Sequence, residues 1–330
     1  MSEFRTRVKI PDFSFSIDHN HTVMCLGSCF AEHMFTRMEA LKFRCLLNPY
    51  GILYNPAVIG KGITQLISGK SVSEEELKCQ NGLWHSFAHH GRFSHPEKAI
   101  ALENMQQEFE TGKKFLEKTD RLLITLGSAW VYEEKSTGQI VANCHKFPAN
   151  HFHKKLLTVE EVVQSLEAPL QQLKDQSPIL EVILSVSPVR HIRDGLFENQ
   201  QSKSTLILAI AQLTRQLDFV HYFPSYEIVL DELRDYRFYE EDMAHPNKLA
   251  VDYIWSCFSK VFFKDNTKKL INRIAKIVQA SSHKPFYPET REHQQFLNQQ
   301  LGKIEQIENE FPMLSFEKEI AIFKKNLMSS

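Results

Sequence analysis

The sequence predicts a three-layer α/β/α fold with a five-stranded, mostly parallel sheet, and two observations carry this prediction. Five short apolar runs alternate with helix-like stretches over the first four-fifths of the chain. The chain has 330 residues, 42% of them hydrophobic and 24% charged, which is ordinary globular composition. Short buried strands that alternate with helices are typical of a parallel sheet covered on both faces.

The strands and helices follow from periodicity and from the residues that end each run. The predicted strands are 23–26, 44–47, 121–126, 180–186 and 219–223, and the predicted helices lie near 56–69, 97–118, 158–175 and 199–217. Apolar pairs on either side of Ser136, Thr137 and Gly138 predict a β-hairpin at about 130–142. A helical, histidine-rich insertion is predicted at about 72–118, between the second and third strands.

The chain is predicted to divide near residue 263. Residues 1–263 form the sheet domain, whereas residues 264–330 have little β pattern and many Lys, Gln and Glu residues. Isoleucines at 271, 274 and 277 lie on one helical stripe, and prolines interrupt the pattern near 285–288 and at 312. These features predict a C-terminal extension of two or three amphipathic helices packed on the core.

Charge, hydropathy and cysteine content exclude several classes of function. Lys and Arg number 39 and Asp and Glu 40, a balance that gives no electrostatic footprint for nucleic acid or an anionic membrane. The sequence has no apolar run long enough to span a bilayer and no apolar core of a secretion signal near the N-terminus. Six cysteines are too sparse for a disulfide scaffold. We therefore expect a cytoplasmic, reduced protein; its oligomeric state stays open.

Ser28 is the sharpest candidate for chemistry. It follows the first strand and Gly27, and it opens a helix whose N–H groups and dipole favour negative charge. That environment suits a nucleophile whose adduct develops an oxyanion. The alternative is a plain N-cap, because serine is a preferred capping residue.

Asp242 and His245 form a D-x-x-H pair before the last helix of the sheet domain. At this spacing the carboxylate can hold Nδ1–H of the imidazole and leave Nε2 to accept a hydroxyl proton. The alternative is an ordinary surface pair beside Pro246. Because ligands bind at the carboxyl ends of parallel strands, we expect Ser28 and this pair to meet at one edge of the sheet.

Residues 27–31 read Gly-Ser-Cys-Phe-Ala, and the sequence resembles the GSCFA-domain family over roughly residues 20–262. The match continues through residues 48–51, 187–191, 222–227 and 242–246. The family is related to the SGNH (GDSL-type) hydrolases. The resemblance therefore implies a flavodoxin-like SGNH fold and a cofactor-free esterase or acyltransferase.

The resemblance also implies roles for individual residues. Ser28 matches the nucleophile, Asp242 and His245 match the carboxylate and base, and the N–H groups of Ser28 and Gly51 match the oxyanion hole. The third block departs from the expected Gly-x-Asn-Asp, because residues 127–130 read Gly-Ser-Ala-Trp. The oxyanion-hole asparagine is therefore missing. The candidates to replace it are Asn48, Ser128 and Asn143.

Further polar and aromatic residues follow the predicted strands and are expected to line the substrate site. They are Cys29, Gly127, Trp130, His145, Arg190, Tyr226 and Glu227. Cys29 is also conceivable as a nucleophile paired with His245, although a small buried residue is the more common role. His85 and His89 have a spacing that metals can use on a helix, but no third ligand completes a motif, so no metal is expected.

Taken together, the sequence predicts a serine hydrolase or acyltransferase that acts on a small acyl ester, with an O-acetylated carbohydrate as one candidate substrate. Two alternatives stay open. The missing asparagine favours a ligand-binding protein on the same fold with its chemistry weakened or lost. The amphipathic C-terminal helices favour an interaction protein that docks a partner through them.

Overall fold

A computed structural model describes residues 6–283 and 285–328. The strands are β1 (Thr22–Gly27), β2 (Arg44–Leu47), β3 (Leu77–Gln80), β4 (Leu83–Ser86), β5 (Arg121–Leu126), β6 (Trp130–Glu134), β7 (Gln139–Val141), β8 (Phe152–Leu156), β9 (Glu181–Val186) and β10 (Val220–Tyr222). The helices are α1 (Cys29–Ala40), α2 (Pro56–Ser68), α3 (Lys98–Leu116), α4 (Val159–Gln176), α5 (Leu196–Gln216), α6 (Ser225–Glu227), α7 (Lys248–Phe262), α8 (Asp265–Ser281), α9 (Arg291–Glu310) and α10 (Glu317–Met328). Helix α6 continues as a π-helical turn, Ile228–Leu233.

The main sheet has five strands in the order β10-β9-β5-β1-β2. All of its pairings are parallel. Counted along the chain, the order is 2-1-3-4-5, which is the flavodoxin-like arrangement. The predicted fold is therefore confirmed, and the carboxyl ends of all five strands share one edge. The order reverses beside β1, so the loop after β1 lies at the switch point where ligands bind in such sheets.

The sheet separates two apolar layers because its strands alternate their side chains between faces. Met24, Leu122 and Val182 pack on one face with α2, α4 and α5. Val23 and Leu123 pack on the other face with α1 and α7. Helices α1 and α7 therefore cover the same face, and the N-terminus of each lies at the carboxyl edge of the sheet.

The insertion at 72–118 is only partly helical, and this corrects the prediction. Helix α3 covers its second half, but β3 and β4 form an antiparallel hairpin before it. The turn residues Asn81 and Gly82 both have positive φ, 52° and 75°, as the tight turns of two-residue hairpins require. His85 therefore lies on a strand and not on a helical face shared with His89.

The predicted hairpin at 130–142 is present as β6 and β7. A third strand, β8, pairs with the other side of β6 and makes a small antiparallel sheet. Sequence periodicity missed β8, because 152–156 reads Phe-His-Lys-Lys-Leu and has only one fully buried residue. This small sheet stands beside the carboxyl edge of the main sheet and contributes Trp130 to the site region.

The C-terminal extension forms a cluster of its own. Its three helices bury an apolar core that includes Ile274, Ile304 and Phe323. Contact with the sheet domain includes Ile271 of α8, which packs in the cluster with α1 and α7, the half-buried Leu41, which packs on the C-terminal core, and an ion pair between Lys42 and Glu319 at 2.7 Å. The helical character of the predicted extension is thus confirmed, and the breaks fall near the two proline positions.

Gly27 is required where β1 ends, and replacing it by alanine is expected to destabilise the fold by about 3 kcal/mol. Its φ is +125°, and an added Cβ would lie 2.2 Å from the carbonyl oxygen of Thr125 in the neighbouring strand. Gly82→Ala is the matched control, because Gly82 also has positive φ but faces open space. Chemical denaturation of both variants separates the two effects; equal losses would show that the contact with Thr125 is unimportant.

Candidate active site

Ser28 is held at the N-terminus of α1 by the geometry of β1. Its side chain is buried, and its Oγ accepts a hydrogen bond from the Phe30 N–H at 3.3 Å as the helix cap. Ser28 is therefore the N-cap of α1, and its hydroxyl lies at the N-terminus of that helix. A hydroxyl in that place faces the positive end of the helix dipole, which stabilises a developing negative charge.

His245 and Asp242 are joined directly. The imidazole Nδ1 lies 2.6 Å from Oδ2 of Asp242, and Oδ1 accepts the backbone N–H groups of Ala244 and His245, both at 2.9 Å. These backbone donors, with the imidazole, lower the pKa of Asp242 to about 2. The carboxylate is therefore ionised at neutral pH and fixes the ring so that Nε2 is turned away from it.

The loop that carries this pair is tied to its neighbours by backbone hydrogen bonds. Arg190 N–H donates to the Ala244 carbonyl at 3.0 Å, and Glu240 N–H donates to the His245 carbonyl at 2.8 Å. The loop therefore sits between the end of β9 and the start of α7. His245 is half-exposed in this position, so solvent and a substrate can both reach it.

Ser28, Asp242 and His245 line one cavity of about 300 Å³ at the carboxyl edge of the sheet. Ser187 and His191, from the end of β9, line the same cavity. No hydrogen bond joins Ser28 Oγ to His245 within the described residues 6–283 and 285–328. The structure therefore brings these side chains to one cavity at the carboxyl edge of the sheet, where topology predicts them.

The two backbone donors expected for an oxyanion hole already have acceptors. Ser28 N–H donates to the Thr125 carbonyl at 3.1 Å, and Gly51 N–H donates to the Asn48 carbonyl at 2.8 Å. Gly51 is also not among the residues that line the Ser28 cavity. Their oxyanion role stays a prediction, and it requires these hydrogen bonds to be shared or exchanged.

The side chains considered as replacements for the missing asparagine are also engaged. Asn48 is buried; its Oδ1 accepts from Gly27 N–H at 2.8 Å and its Nδ2 donates to the Gly27 carbonyl at 3.2 Å. Ser128 Oγ accepts from Trp130 N–H at 3.0 Å. Asn143 Oδ1 accepts from His145 N–H, also within its own loop, at 2.8 Å.

Cys29 lines the Ser28 cavity, but its thiol is a poor nucleophile there. Burial, with the charge of Glu32 nearby, raises the pKa of the Cys29 thiol. This is opposite to the lowering expected from the helix N-terminus, and it weakens the Cys29–His245 alternative. The amide of Cys29, as the first of α1, has no carbonyl within the helix to bond, which makes it the backbone donor best suited to an oxyanion.

A second cavity, of about 490 Å³, adjoins the first. It holds Ser128, Trp130, Asn143 and His145. The two cavities share Tyr54, His191 and Arg193. His145 itself is buried and bonded through Nε2 to the Ser86 carbonyl at 2.8 Å, and burial lowers its pKa to about 4. Trp130 and Asn143 therefore belong to an adjoining surface and not to the Ser28 cavity.

Three other candidates are placed differently by the structure. Gly127 underlies the site, where its N–H donates to the Tyr54 carbonyl at 2.7 Å. Tyr226 and Glu227 are not brought to the Ser28 cavity: Tyr226 packs in the core, and Glu227 accepts the hydroxyl of Tyr222 at 2.7 Å. Arg190 does line the Ser28 cavity.

Lys203 is the residue that sequence reasoning missed. It lies on α5, is 0% exposed, and donates through Nζ to the carbonyls of Gly127 at 2.7 Å and Ser187 at 2.8 Å. It therefore ties together the ends of β5 and β9 beneath the site. Burial, with Arg190 nearby, lowers the pKa of Lys203 to about 7. A lone lysine in a polar helix carries no sequence signal for such burial.

The comparison with protein families decides the relationship. The GSCFA family matches residues 22–258, and the C-terminal domain of GSCFA domain proteins matches residues 274–329. The chain belongs to the GSCFA family. No curated protein matches it. The first GSCFA region lies within the sheet domain, and the second begins inside α8 and includes α9 and α10.

Neither a metal site nor a membrane-spanning helix is found among the described residues of the GSCFA chain. Among residues 6–283 and 285–328, no group of three or more His, Cys, Asp or Glu side chains is arranged to hold a metal ion. Over the same residues, no helix combines the length and apolar character that crossing a bilayer requires.

Proposed function

We propose that this GSCFA protein is a serine hydrolase or acyltransferase that acts on an acyl ester. One observation carries the proposal: Ser28, at a helix N-terminus, shares a cavity with a His245 imidazole that an ionised Asp242 holds by Nδ1. These are the three roles of a nucleophile, a base and an orienting carboxylate. Ser28 and the Asp242–His245 pair come from distant parts of the chain and nevertheless line one cavity. A chance pairing of two surface residues does not account for this arrangement.

In the proposed reaction, Ser28 Oγ attacks the ester carbonyl carbon and His245 Nε2 takes the hydroxyl proton. The oxyanion that forms lies at the N-terminus of α1, where the Cys29 N–H can donate to it. The bond to the alcohol oxygen then breaks, and His245 gives its proton to the leaving alcohol. Water, or the hydroxyl of an acceptor, attacks the acyl-serine and restores Ser28 with His245 again acting as base.

The SGNH relationship and a cytoplasmic location belong to the same proposal. The flavodoxin-like strand order and the order of Ser28 before Asp242 and His245 along the chain support the SGNH relationship. All six cysteines are free, which supports a reducing compartment. An acylated carbohydrate is one candidate substrate, because Trp130 and Asn143 in the adjoining cavity offer the stacking and hydrogen bonds that sugars use.

A ligand-binding role without turnover is the second candidate function. It is favoured by the engaged N–H groups of Ser28 and Gly51. Loss of one oxyanion donor alone lowers turnover by about 10²–10³-fold. A binding protein of this kind would keep its ligand affinity after Ser28→Ala and would show no ester turnover to lose.

Hydrolysis of short-chain aryl esters distinguishes the two. We expect the Ser28→Ala variant to lose at least about 10³-fold in kcat/KM. Ser282→Ala, a serine at the end of α8 that is remote from the cavity, is the matched control and should keep full activity. Equal rates in Ser28→Ala and wild type, or no turnover by any of the three folded proteins, would support the binding role instead.

A further inference from the structure

The Ser28 cavity adjoins a larger groove that the proposed reaction does not use. This acyl groove, as we name it, has a volume of about 540 Å³, and it is lined by Arg190, Ile192, Leu196, Val229, Leu230, Arg234, Asp235, Tyr236, Tyr239 and Met243. Arg190 and Ile192 also line the Ser28 cavity, so the two spaces adjoin at the loop after β9.

The interior of the acyl groove is apolar. Val229 and the half-buried Leu230, from the π-helical turn, lie on one side. Ile192, Leu196 and Met243 lie around it with 49%, 62% and 51% of their surface exposed. Contiguous exposed apolar side chains of this kind mark binding sites in proteins, because it costs free energy to keep apolar surface in contact with water.

Two of the three charged residues that line the acyl groove form ion pairs. Arg234 bonds to Asp231 at 3.2 Å, and Asp235 pairs with Arg237 at 3.4 Å. At the junction with the Ser28 cavity, Arg190 has a buried Nε that lacks a hydrogen-bond partner among the described residues. The groove therefore combines an aliphatic surface with the side chains of Tyr236 and Tyr239, and Arg190 lies where it meets the Ser28 cavity.

The second cavity, which also adjoins the Ser28 cavity, presents aromatic and amide side chains. It contains Trp130, Asn143 and Arg193, with Lys154 bonded to Asp194 beside it. Polar and aromatic groups suit the alcohol part of an ester, and aliphatic groups suit the acyl part.

We propose that the acyl groove binds the acyl chain of the substrate, and that the preferred substrate is an ester of a medium-length fatty acyl group and not an acetyl ester. This inference rests on the proposed function, because the chain must end at a carbonyl beside Ser28. Each methylene buried in the groove is expected to raise kcat/KM by about fourfold.

Rates with p-nitrophenyl butyrate and p-nitrophenyl octanoate test the inference through the ratio of their kcat/KM values. Octanoate has four more methylenes than butyrate, so we expect wild type to favour octanoate by about 10²-fold, and Leu196→Ser to lower that ratio by about threefold or more. Leu208→Ser is the matched control, because Leu208 is 58% exposed on the same helix, α5, and does not line the groove. It should keep the wild-type ratio. Met243→Ser replaces Leu196→Ser if the latter does not fold.

The outcomes separate this inference from the proposed function. If Ser28-dependent hydrolysis is measured but butyrate and octanoate react alike, or if Leu196→Ser and Met243→Ser keep the wild-type preference, the acyl groove does not bind the chain and the hydrolase proposal stands. If neither ester is turned over by the folded wild-type protein, the hydrolase proposal and the groove inference both fall.

Discussion

Replacing His245 by glutamine is expected to lower kcat for ester hydrolysis by about 10³-fold and to leave KM nearly unchanged. Asp242 holds the His245 imidazole by Nδ1, and glutamine cannot accept and return a proton as that imidazole can. Steady-state kinetics with a short-chain ester measure both constants. A loss of less than about threefold would mean that another group, or water, serves as the base.

The Asp242→Asn variant tests the same geometry from the other side. An asparagine can accept the two backbone N–H groups, but its amide favours the wrong tautomer of His245, and we expect a loss of about 10³-fold in kcat. Asp231→Asn, at an exposed pair with Arg234, is the control and should change little. Because the pKa of Asp242 is lowered to about 2, its titration should not shape the rate above about pH 4.

Replacing Lys203 by methionine is expected to destabilise the fold by about 2–4 kcal/mol at pH 9, since the buried carbonyls of Gly127 and Ser187 lose their common donor. Neutral lysine still has two N–H groups and can satisfy both carbonyls. Methionine fills a similar volume but donates nothing. Urea denaturation gives the difference, and Lys114→Met, at an exposed position on α3, should cost little.

The destabilisation by Lys203→Met should depend on pH, and the lowered pKa of Lys203 gives the direction of that dependence. The pKa of Lys203 is about 7 in the folded protein, below the 10.5 of an unperturbed lysine, so the unfolded chain binds more protons between these values. The free energy of unfolding of wild type should therefore rise with pH across this window, and Lys203→Met should lack that contribution. The destabilisation by Lys203→Met should grow from pH 7 to pH 9. A constant or shrinking difference would show that Lys203 stays charged when buried.

The main sheet could be predicted from sequence because its strands are short apolar runs with clear ends. Runs such as 121–126 are buried along their whole length, so composition alone identifies them. The sequence analysis did not predict the hairpin of β3 and β4. Asn81 and Gly82 are a strong turn signal, but the histidine-rich stretch near them was interpreted as helical. Strand β8 was missed because Lys154 and Lys155 face outward and interrupt the apolar pattern.

The site could be predicted in part for a similar reason. Parallel strands bring their carboxyl ends to one edge, so Ser28 and His245 could be expected to lie near each other from topology. Hydrogen bonding could not be read in the same way. The bond from Gly51 N–H to the Asn48 carbonyl closes a local turn of residues 48–51, which periodicity does not describe. The burial of Lys203 does not follow from periodicity either, because it depends on how α5 packs beneath the ends of β5 and β9.

Covalent labelling of Ser28 tests the central claim most directly. Wild type and Ser28→Ala are treated with a fluorophosphonate probe, and the labelled peptide is identified by mass spectrometry. We predict one adduct on Ser28 in wild type, slower labelling of His245→Gln, and none on Ser28→Ala. An adduct on Cys29 or on another serine, or no adduct on folded wild-type protein, would contradict the account.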